Sequence, residues 1–257
     1  MMLTNSCRGA NDRHDAADDI ARKRLSRGRD VMTIRGMSSP CRHRLHLFKN
    51  PLAWGPVHPE PELAAVIGTT LCRATPSAAL AGVFGYTIID DVTSPGLKGE
   101  DSVELVMAGG IGIEEHWRES TGDYDRSLYL TYHARSKGTD TFAPIGPWVV
   151  TPDEVANPDD LAVRAYLDDE LVLEDSTANL TFAVGDVLSH LSHSMTLVPG
   201  DIVHFGTAAR PAAPERFPTI RSIDLTRYGC TVSIEIDGLG RLDSTVNRIP
   251  MVINHPY

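Results

Sequence analysis

Basic charge is in deficit in this 257-residue chain: 24 Lys and Arg face 34 Asp and Glu, a formal net charge of -10. Nucleic-acid affinity comes from neutralising backbone phosphates with Lys and Arg, so no nucleic-acid partner is expected. An anionic substrate would have to be met by local positive charge or by a metal. Cysteine is scarce as well. Cys7, Cys41, Cys72 and Cys230 stand apart with no CxxC pair, which excludes a zinc knuckle and a redox dithiol. Long apolar runs are missing: the longest weakly polar stretch, Ala78 to Ile89, falls far short of the roughly 20 residues that span a bilayer. No membrane partner is expected. The basic run ARKRLSRGR at 21–29 follows Asp12, Asp15, Asp18 and Asp19, which spoils both a secretory signal and an acid-poor transit peptide. A cytoplasmic location is the default expectation.

What is present is ordinary globular material, 42% hydrophobic and 23% charged, enough to bury a core without staples. Residues 1–44 are polar and poor in apolar periodicity and read as an arm or lid; residues 45–257 read as one domain. In that domain ELAAVIG from Glu62 to Gly68 is a buried strand. Thr75 and Pro76 predict an N-cap followed by proline at the first helical position, opening a short helix through SAALAG. VFGYTIIDDV is a β-branched and aromatic strand that delivers Asp90 and Asp91 at its end. Residues 95–131 mix glycine with charge and give no clear element until SLYLTYHAR, which alternates like a strand. TFAPIGPWVV is a strand between prolines, and LAVRAYL and ELVLED form a hairpin about Asp168-Asp169. Val184, Val187, Leu188 and Leu191 have helical spacing; VPGDIVHFGT turns into a strand; CTVSIEIDGLGRLDSTV closes a second hairpin about Asp237-Gly238. Strands dominate, so the expected class is α+β with a mainly antiparallel, barrel-like sheet.

Candidate chemistry begins with carboxylates. In extended chain Glu60 and Glu62 share a face, and like charges so close repel unless a positive group lies between them; a hard divalent cation does this directly. By themselves, Pro59-Glu60-Pro61-Glu62 also fit a solvated, proline-stiffened linker. Alternation places Asp91 with Ile89 and Thr87, and Asp90 on the opposite face, so one aspartate alone can join a given site. Lys137, in Lys137-Gly138-Thr139-Asp140, could orient an anionic substrate, while Gly206 lets backbone approach closely and Thr207 offers a hydroxyl. His190 and His193, one helical turn apart, read as solvated helix residues. By simple alternation His204 points away from Thr207 and packs on the opposite face.

Taken in order, LHLFKNP, HPEPELAAVIG, AGVFGYTIIDDVTS, KGTDTFAPIGPWVVTPDEV, DDELVLED, FAVGDVLSHLSHSMTLVPGDIVHFGT and VSIEIDGLGRL resemble the fumarylacetoacetate hydrolase superfamily over most of residues 45–245. The resemblance implies a mixed β-roll of the fumarylacetoacetase C-terminal type, a homodimer, and Mg²⁺ or Mn²⁺, with Ca²⁺ as a further candidate. It puts Glu60 and Glu62 on the family's Glu-x-Glu metal pair and Asp91 on the aspartate that completes the site. Lys137 falls on the active-site lysine and Asp140 on the acid of the same motif, and Gly206 and Thr207 on the pair that binds the substrate's carboxylate end. The small-molecule partner it implies is a 2-oxo or dicarboxylic acid.

Two departures mark this chain. The family's N-terminal motif, which supplies a His-Glu pair to activate water, has as its nearest counterpart Gly9-Ala10-Asn11-Asp12-Arg13-His14 with Asp18 beyond. The tyrosine is missing, the spacing is one short, and an aspartate stands for the glutamate. His14 and Asp18 therefore fit a solvated arm as well as a catalytic pair. The second departure is the long connection from Asp91 to Lys137, where loops beside a site form its wall. The resemblance implies C–C hydrolysis of an acylpyruvate, or else isomerisation or decarboxylation of a 2-hydroxydienedioate. A member that binds metal and oxo acid without turnover is the third possibility.

Overall fold

The computed structural model describes residues 42–49, 56–106, 127–131 and 134–250. In chain order the strands are β1 (Arg42–Lys49), β2 (Pro61–Ile67), β3 (Val83–Asp90), β4 (Ser102–Val106), β5 (Ser127–Thr131) and β6 (Ile145–Val150). Five more follow: β7 (Ala162–Leu167), β8 (Glu170–Ser176), β9 (Ile202–Thr207), β10 (Thr231–Ile236) and β11 (Gly240–Pro250). The helices are short: α1 (Pro76–Ala81), α2 (Pro95–Glu100), α3 (Ala134–Gly138) and α4 (Val184–Ser194). None of them is long and apolar enough to cross a membrane.

The strands form a five-stranded sheet in the order β1-β11-β10-β7-β8, a four-stranded sheet β6-β3-β2-β9 and a two-stranded ladder β4-β5. Every pairing is antiparallel except β1 with β11. The chain thus has the expected α+β class and a mainly antiparallel, mixed architecture.

Local chemistry accounts for the elements that frame the site. Thr75 caps α1 by accepting from the Ala78 N–H at 3.3 Å, with Pro76 next in the chain. Asp168 and Asp169 have φ of 49° and 69°, the backbone that a two-residue type I′ hairpin requires. The Asp168 carboxylate then accepts from the N–H groups of Cys230 and Thr231 at 2.8 Å each, tying that turn to the start of β10. Pro147 is tolerated because β6 lies at a sheet edge.

The core forms between the two large sheets. Leu63, Ala65 and Ile67 of β2, with Tyr86 and Ile88 of β3 and Val203 of β9, join Val163, Ala165 and Leu167 of β7 and Val232, Ile234 and Ile236 of β10. Val184, Val187, Leu188 and Leu191 of α4 enter the same cluster, and α4 packs on α1. β2 is nevertheless buried along its whole length, on both faces. Its second face carries Glu62 and Ala64, and a charged group buried there needs partners.

The long connection after Asp91 contributes α2, capped by Ser94 with Pro95 following, and the β4-β5 ladder. Residues 107–126 of it, and the arm up to residue 41 with His14 and Asp18, lie outside the described residues.

Candidate metal centre

Glu62 lies near the start of β2, opposite Ile89 of β3 and Thr207 of β9. Residues directly opposite in a ladder project to the same side, so three strands converge on one face. Just before β2, His58 and Thr93 exchange backbone hydrogen bonds at 3.1 Å, and the Asp91 N–H donates to the Glu60 carbonyl at 2.9 Å. This extends the β2-β3 pairing past the strand ends and sets Glu60 beside Asp91. Asp90 goes to the opposite face, where its Oδ1 accepts from the Glu60 N–H at 2.9 Å. The alternation of the two aspartates is as the sequence predicts.

Two groups of charge result. In the first, the Lys137 ammonium of α3 donates to Glu60 Oε2 at 2.6 Å, to Asp91 Oδ2 at 2.5 Å and to the Asp91 carbonyl at 3.0 Å. His58 Nε2 lies 3.1 Å from the other oxygen of Glu60. In the second, Glu62 is held by His204 Nδ1 at 2.5 Å, by the Gly206 N–H at 2.8 Å and by the Thr207 hydroxyl at 3.0 Å. Asp91 belongs to both groups. Among the described residues, ligand atoms of Glu62, Asp91 and His204 lie within 4.8 Å of one another, and all three side chains are buried. Glu60 connects to this trio through Lys137. Asp140 is exposed, and among the described residues no hydrogen bond or ion pair joins it to the cluster.

His204 corrects a sequence expectation, for strict alternation would turn it away from Thr207. The β2-β9 ladder pairs Glu62 with Thr207 and Ala64 with His204, so one residue separates the pair on β2 and two separate it on β9. The extra residue is a bulge, which inverts the side-chain parity. Gly206, at φ +92°, supplies the backbone for it. Both His204 and Thr207 therefore face Glu62. An isolated glycine inside a strand pattern is a bulge signal, and Gly206 was the residue from which His204 could have been found. His190 and His193 are exposed, as their spacing on a solvated face predicts.

Burial and neighbouring charge set the protonation of the site. Burial would raise Glu60, but the hydrogen bond from His58 and the charge of Lys137 outweigh it and hold its pKa down to about 2. Burial lifts Asp91 above the usual carboxylate range, with Lys137 opposing. Asp90, fully enclosed beside the charges of Asp91 and Glu60, is pushed up to about 8 despite the Glu60 N–H. Burial alone would lower His204 and Lys137. The adjoining carboxylates win in both cases, and both groups are raised.

The donor set suits a divalent cation: carboxylates from separate strands, a neighbouring imidazole, and burial that makes uncompensated negative charge costly. His204 Nδ1 faces Glu62, and its Nε2 is buried without a hydrogen-bond partner among the described residues.

The chain matches the family model for the C-terminal domain of fumarylacetoacetate (FAA) hydrolase over residues 37–247. It is 31% identical over 193 residues to the 4-hydroxyphenylacetate degradation bifunctional isomerase/decarboxylase of Salmonella dublin, covering 75% of this chain and 35% of the relative. The fold is similar to the 2-hydroxyhepta-2,4-diene-1,7-dioate isomerase of Mycobacterium marinum, with a TM-score of 0.56 and 28% identity, covering 80% of this chain and 64% of that one. It is similar as well to the maleylpyruvate hydrolase of Sphingobium sp. SYK-6 in complex with manganese (II) ion and pyruvate. There the TM-score is 0.54 and the identity 25%, covering 81% of this chain and 60% of the other. The chain spans about half the length of the curated relatives it matches.

Proposed function

This chain belongs to the fumarylacetoacetate hydrolase family, and from that premise we propose that it is a metal-dependent enzyme that hydrolyses a C–C bond in an acylpyruvate. The observation that carries this reading is the buried Glu62, Asp91 and His204 cluster with Lys137 in contact with Asp91. Glu60, Glu62 and Asp91 hold the ion in this reading, Mg²⁺ or Mn²⁺ first and Ca²⁺ as a further candidate. A divalent ion bound there supplies a Lewis acid that stabilises enolate charge on a 2-oxo acid.

The chain's own groups do the rest. Lys137 brings an ammonium to the substrate's oxygen atoms while neutralising Glu60 and Asp91. Gly206 and Thr207, whose N–H and hydroxyl hold Glu62 in this structure, turn to the substrate's carboxylate when it enters, and Asp140 serves the same substrate site. His14 with Asp18, in a lid formed by residues 1–44, takes the proton from the attacking water. Water adds to the distal carbonyl, the C–C bond breaks with its electron pair going to the 2-oxo fragment, and that carbon regains a proton. One acylpyruvate and one water thus give a carboxylate and pyruvate. A cytoplasmic homodimer built on residues 45–257 is the form this reading assigns, and light scattering on the purified chain tests the dimer.

Two of the three named relatives favour a second reading, isomerisation or decarboxylation of a 2-hydroxydienedioate in aromatic catabolism. Neither reaction needs activated water. The metal-loaded chain should be incubated with acylpyruvates and 2-hydroxydienedioates and the products identified by mass spectrometry. Pyruvate release that is lost in His14→Ala supports hydrolysis. Turnover of the dienedioate alone, indifferent to His14→Ala, replaces it with the second reading. Oxalate binding with no product from either class would leave a binding protein without turnover.

A further inference from the structure

Helix α3 is five residues long, too short to hold itself in water, so its place and its rotation come from what it touches. On its inner side Lys137 reaches Glu60 and Asp91. Two residues span about 200° of helical turn, so Arg135 leaves α3 on the opposite side. There its Nε donates to the two oxygens of Asp101 at 3.0 and 3.1 Å, and its Nη2 donates to Asp101 Oδ1 at 2.5 Å and to Glu100 Oε2 at 3.1 Å. The hydrogen bonds from Arg135 hold Asp101 below the usual carboxylate range, so the fork joins two charged groups at neutral pH.

Asp101 is the C-cap of α2, and α2 starts just beyond Asp91. The Ser94 N–H donates to the Ser136 carbonyl at 3.1 Å, and the β4-β5 ladder begins with Ser102 opposite Thr131, so α2 and α3 are tied together at the base of that ladder. The contact between Lys137 and Asp91, 46 residues apart, is thus made by two helical turns docked on each other. From this arrangement we propose that Arg135, forked onto Asp101, is a positioning residue for Lys137, a role that rests on the reading of Lys137 as the ammonium that meets the substrate.

The backbone beyond α3 explains the need for a second anchor. Thr141 and Ala143 hold φ of 71° and 58°, a left-handed backbone that is costly for both and most of all for a β-branched threonine. Such strain persists only where the surroundings over-determine it. One end of the strained stretch is fixed by the Asp90 N–H, which donates to the Pro144 carbonyl at 3.0 Å. The other end is α3. Lys137 reaches its acids by a flexible four-carbon stem, which does not fix the rotation of that helix; the planar fork of Arg135 does. Without the fork the strained stretch can relax by turning α3, and the ammonium then spends part of its time in solvent.

The test is trace labelling of the full chain with acetic anhydride, read by mass spectrometry as the rate at Lys137 relative to Lys49 of β1. Arg135→Ala and Asp101→Ala should each raise that ratio roughly fivefold, the scale of population shift that loss of one exposed charged pair gives, while the denaturation midpoint hardly moves. Reversing both charges, Arg135→Asp with Asp101→Arg, should bring the ratio back toward that of the natural chain. A fork that serves stability alone would shift the midpoint and leave the ratio unchanged, and that result overturns the proposal. So does a reversed pair whose ratio stays as high as in the single variants. Failure of the underlying reading looks different: Lys137→Met would bind Mn²⁺ and oxalate as the natural chain does, while the labelling ratio still rose in Arg135→Ala.

Discussion

In the five-stranded sheet three of the four ladders, β1-β11, β11-β10 and β10-β7, run without a register shift and one, β7-β8, shifts, whereas all three ladders of the four-stranded sheet shift once. Strand β7 alternates strictly between half-buried and buried residues, while β2 is buried at every position. Their charges differ in the same sense. Arg164 of the regular sheet pairs at the surface with Glu174, Glu235 and Asp237. Lys137, Glu62, Asp91 and His204, at the irregular sheet, are largely enclosed. Regular pleating keeps polar groups in water at little cost. Bringing His204 and Thr207 together on the enclosed Glu62 face requires a break in that pleating, and the break between Glu62 and Ala64 falls at the site.

Substitutions can break or sharpen this contrast, and the largest effect is expected at Glu62. Glu62→Leu removes a ligand and strands the Gly206 N–H and the Thr207 hydroxyl; turnover and ion binding should fall by more than the about 10–100-fold that loss of an outer-shell partner costs. Retained ion affinity by calorimetry would move the centre away from this face. In the regular sheet, Ile234→Ala should cost about 2–5 kcal/mol in a denaturant titration, because it opens a cavity at a residue 1% exposed. Its ion affinity, measured on the fraction that stays folded, should be that of the natural chain. Lys137→Met leaves Glu60 and Asp91 enclosed without their cation and should destabilise by about 3 kcal/mol. Added Mn²⁺ should restore part of that loss, since an ion binding only the folded state adds about 2.7 kcal/mol at a hundred times its Kd.

The glycines give the cleanest comparison. Gly206 in β9 has φ +92°, Gly238 in the turn between β10 and β11 has φ +78°, and an added Cβ would meet nothing within 4 Å at either. Gly206→Ala and Gly238→Ala should therefore lose similar stability, about 1–2 kcal/mol each from the left-handed backbone. The Gly206 variant alone should also lose ion affinity. Equal affinity in both would mean that the bulge does not hold the centre. At the small end, Arg164→Ala should cost less than about 1 kcal/mol and the cost should vanish in high salt, as for other surface pairs.

These differences decide what can be read from the sequence. Where structure follows a short-range rule, it was legible: Thr75-Pro76 opens α1, Asp168-Asp169 turns β7 into β8, and Val184 to Leu191 mark α4. Ser94-Pro95 carries the same capping signal as Thr75-Pro76 and opens α2, yet the glycine and charge that follow it obscured it. Glu62, Asp91, Lys137, Gly206 and Thr207 were singled out from the sequence, and the fold brings them to one face. His204 was misplaced because period-two reasoning holds only along an unbroken ladder. Glu60 and Glu62 show the complementary limit. They share a face, as extended chain dictates, but Glu60 is engaged by Lys137 and His58, and Glu62 by β9. Which partners a side chain finds depends on strands far away in sequence. Spacing does not contain that information.

The parallel pairing of β1 with β11 sets a clock on the molecule. Arg42 lies opposite Asp243, about 200 residues farther along the chain. At about 5–20 residues per second, a ribosome that has made β1 needs roughly 10–40 seconds more before its partner exists. Through that interval β1 has no native ladder, while β2 and β3 can already pair. The half of the site contributed by Glu62 and Asp91 can thus assemble early, and the half contributed by β9 (Ile202–Thr207) arrives only about 110 residues after Asp91. Chains released before β9 emerges would hold buried acids without the strand that completes their surroundings, and are the ones expected to depend most on chaperones.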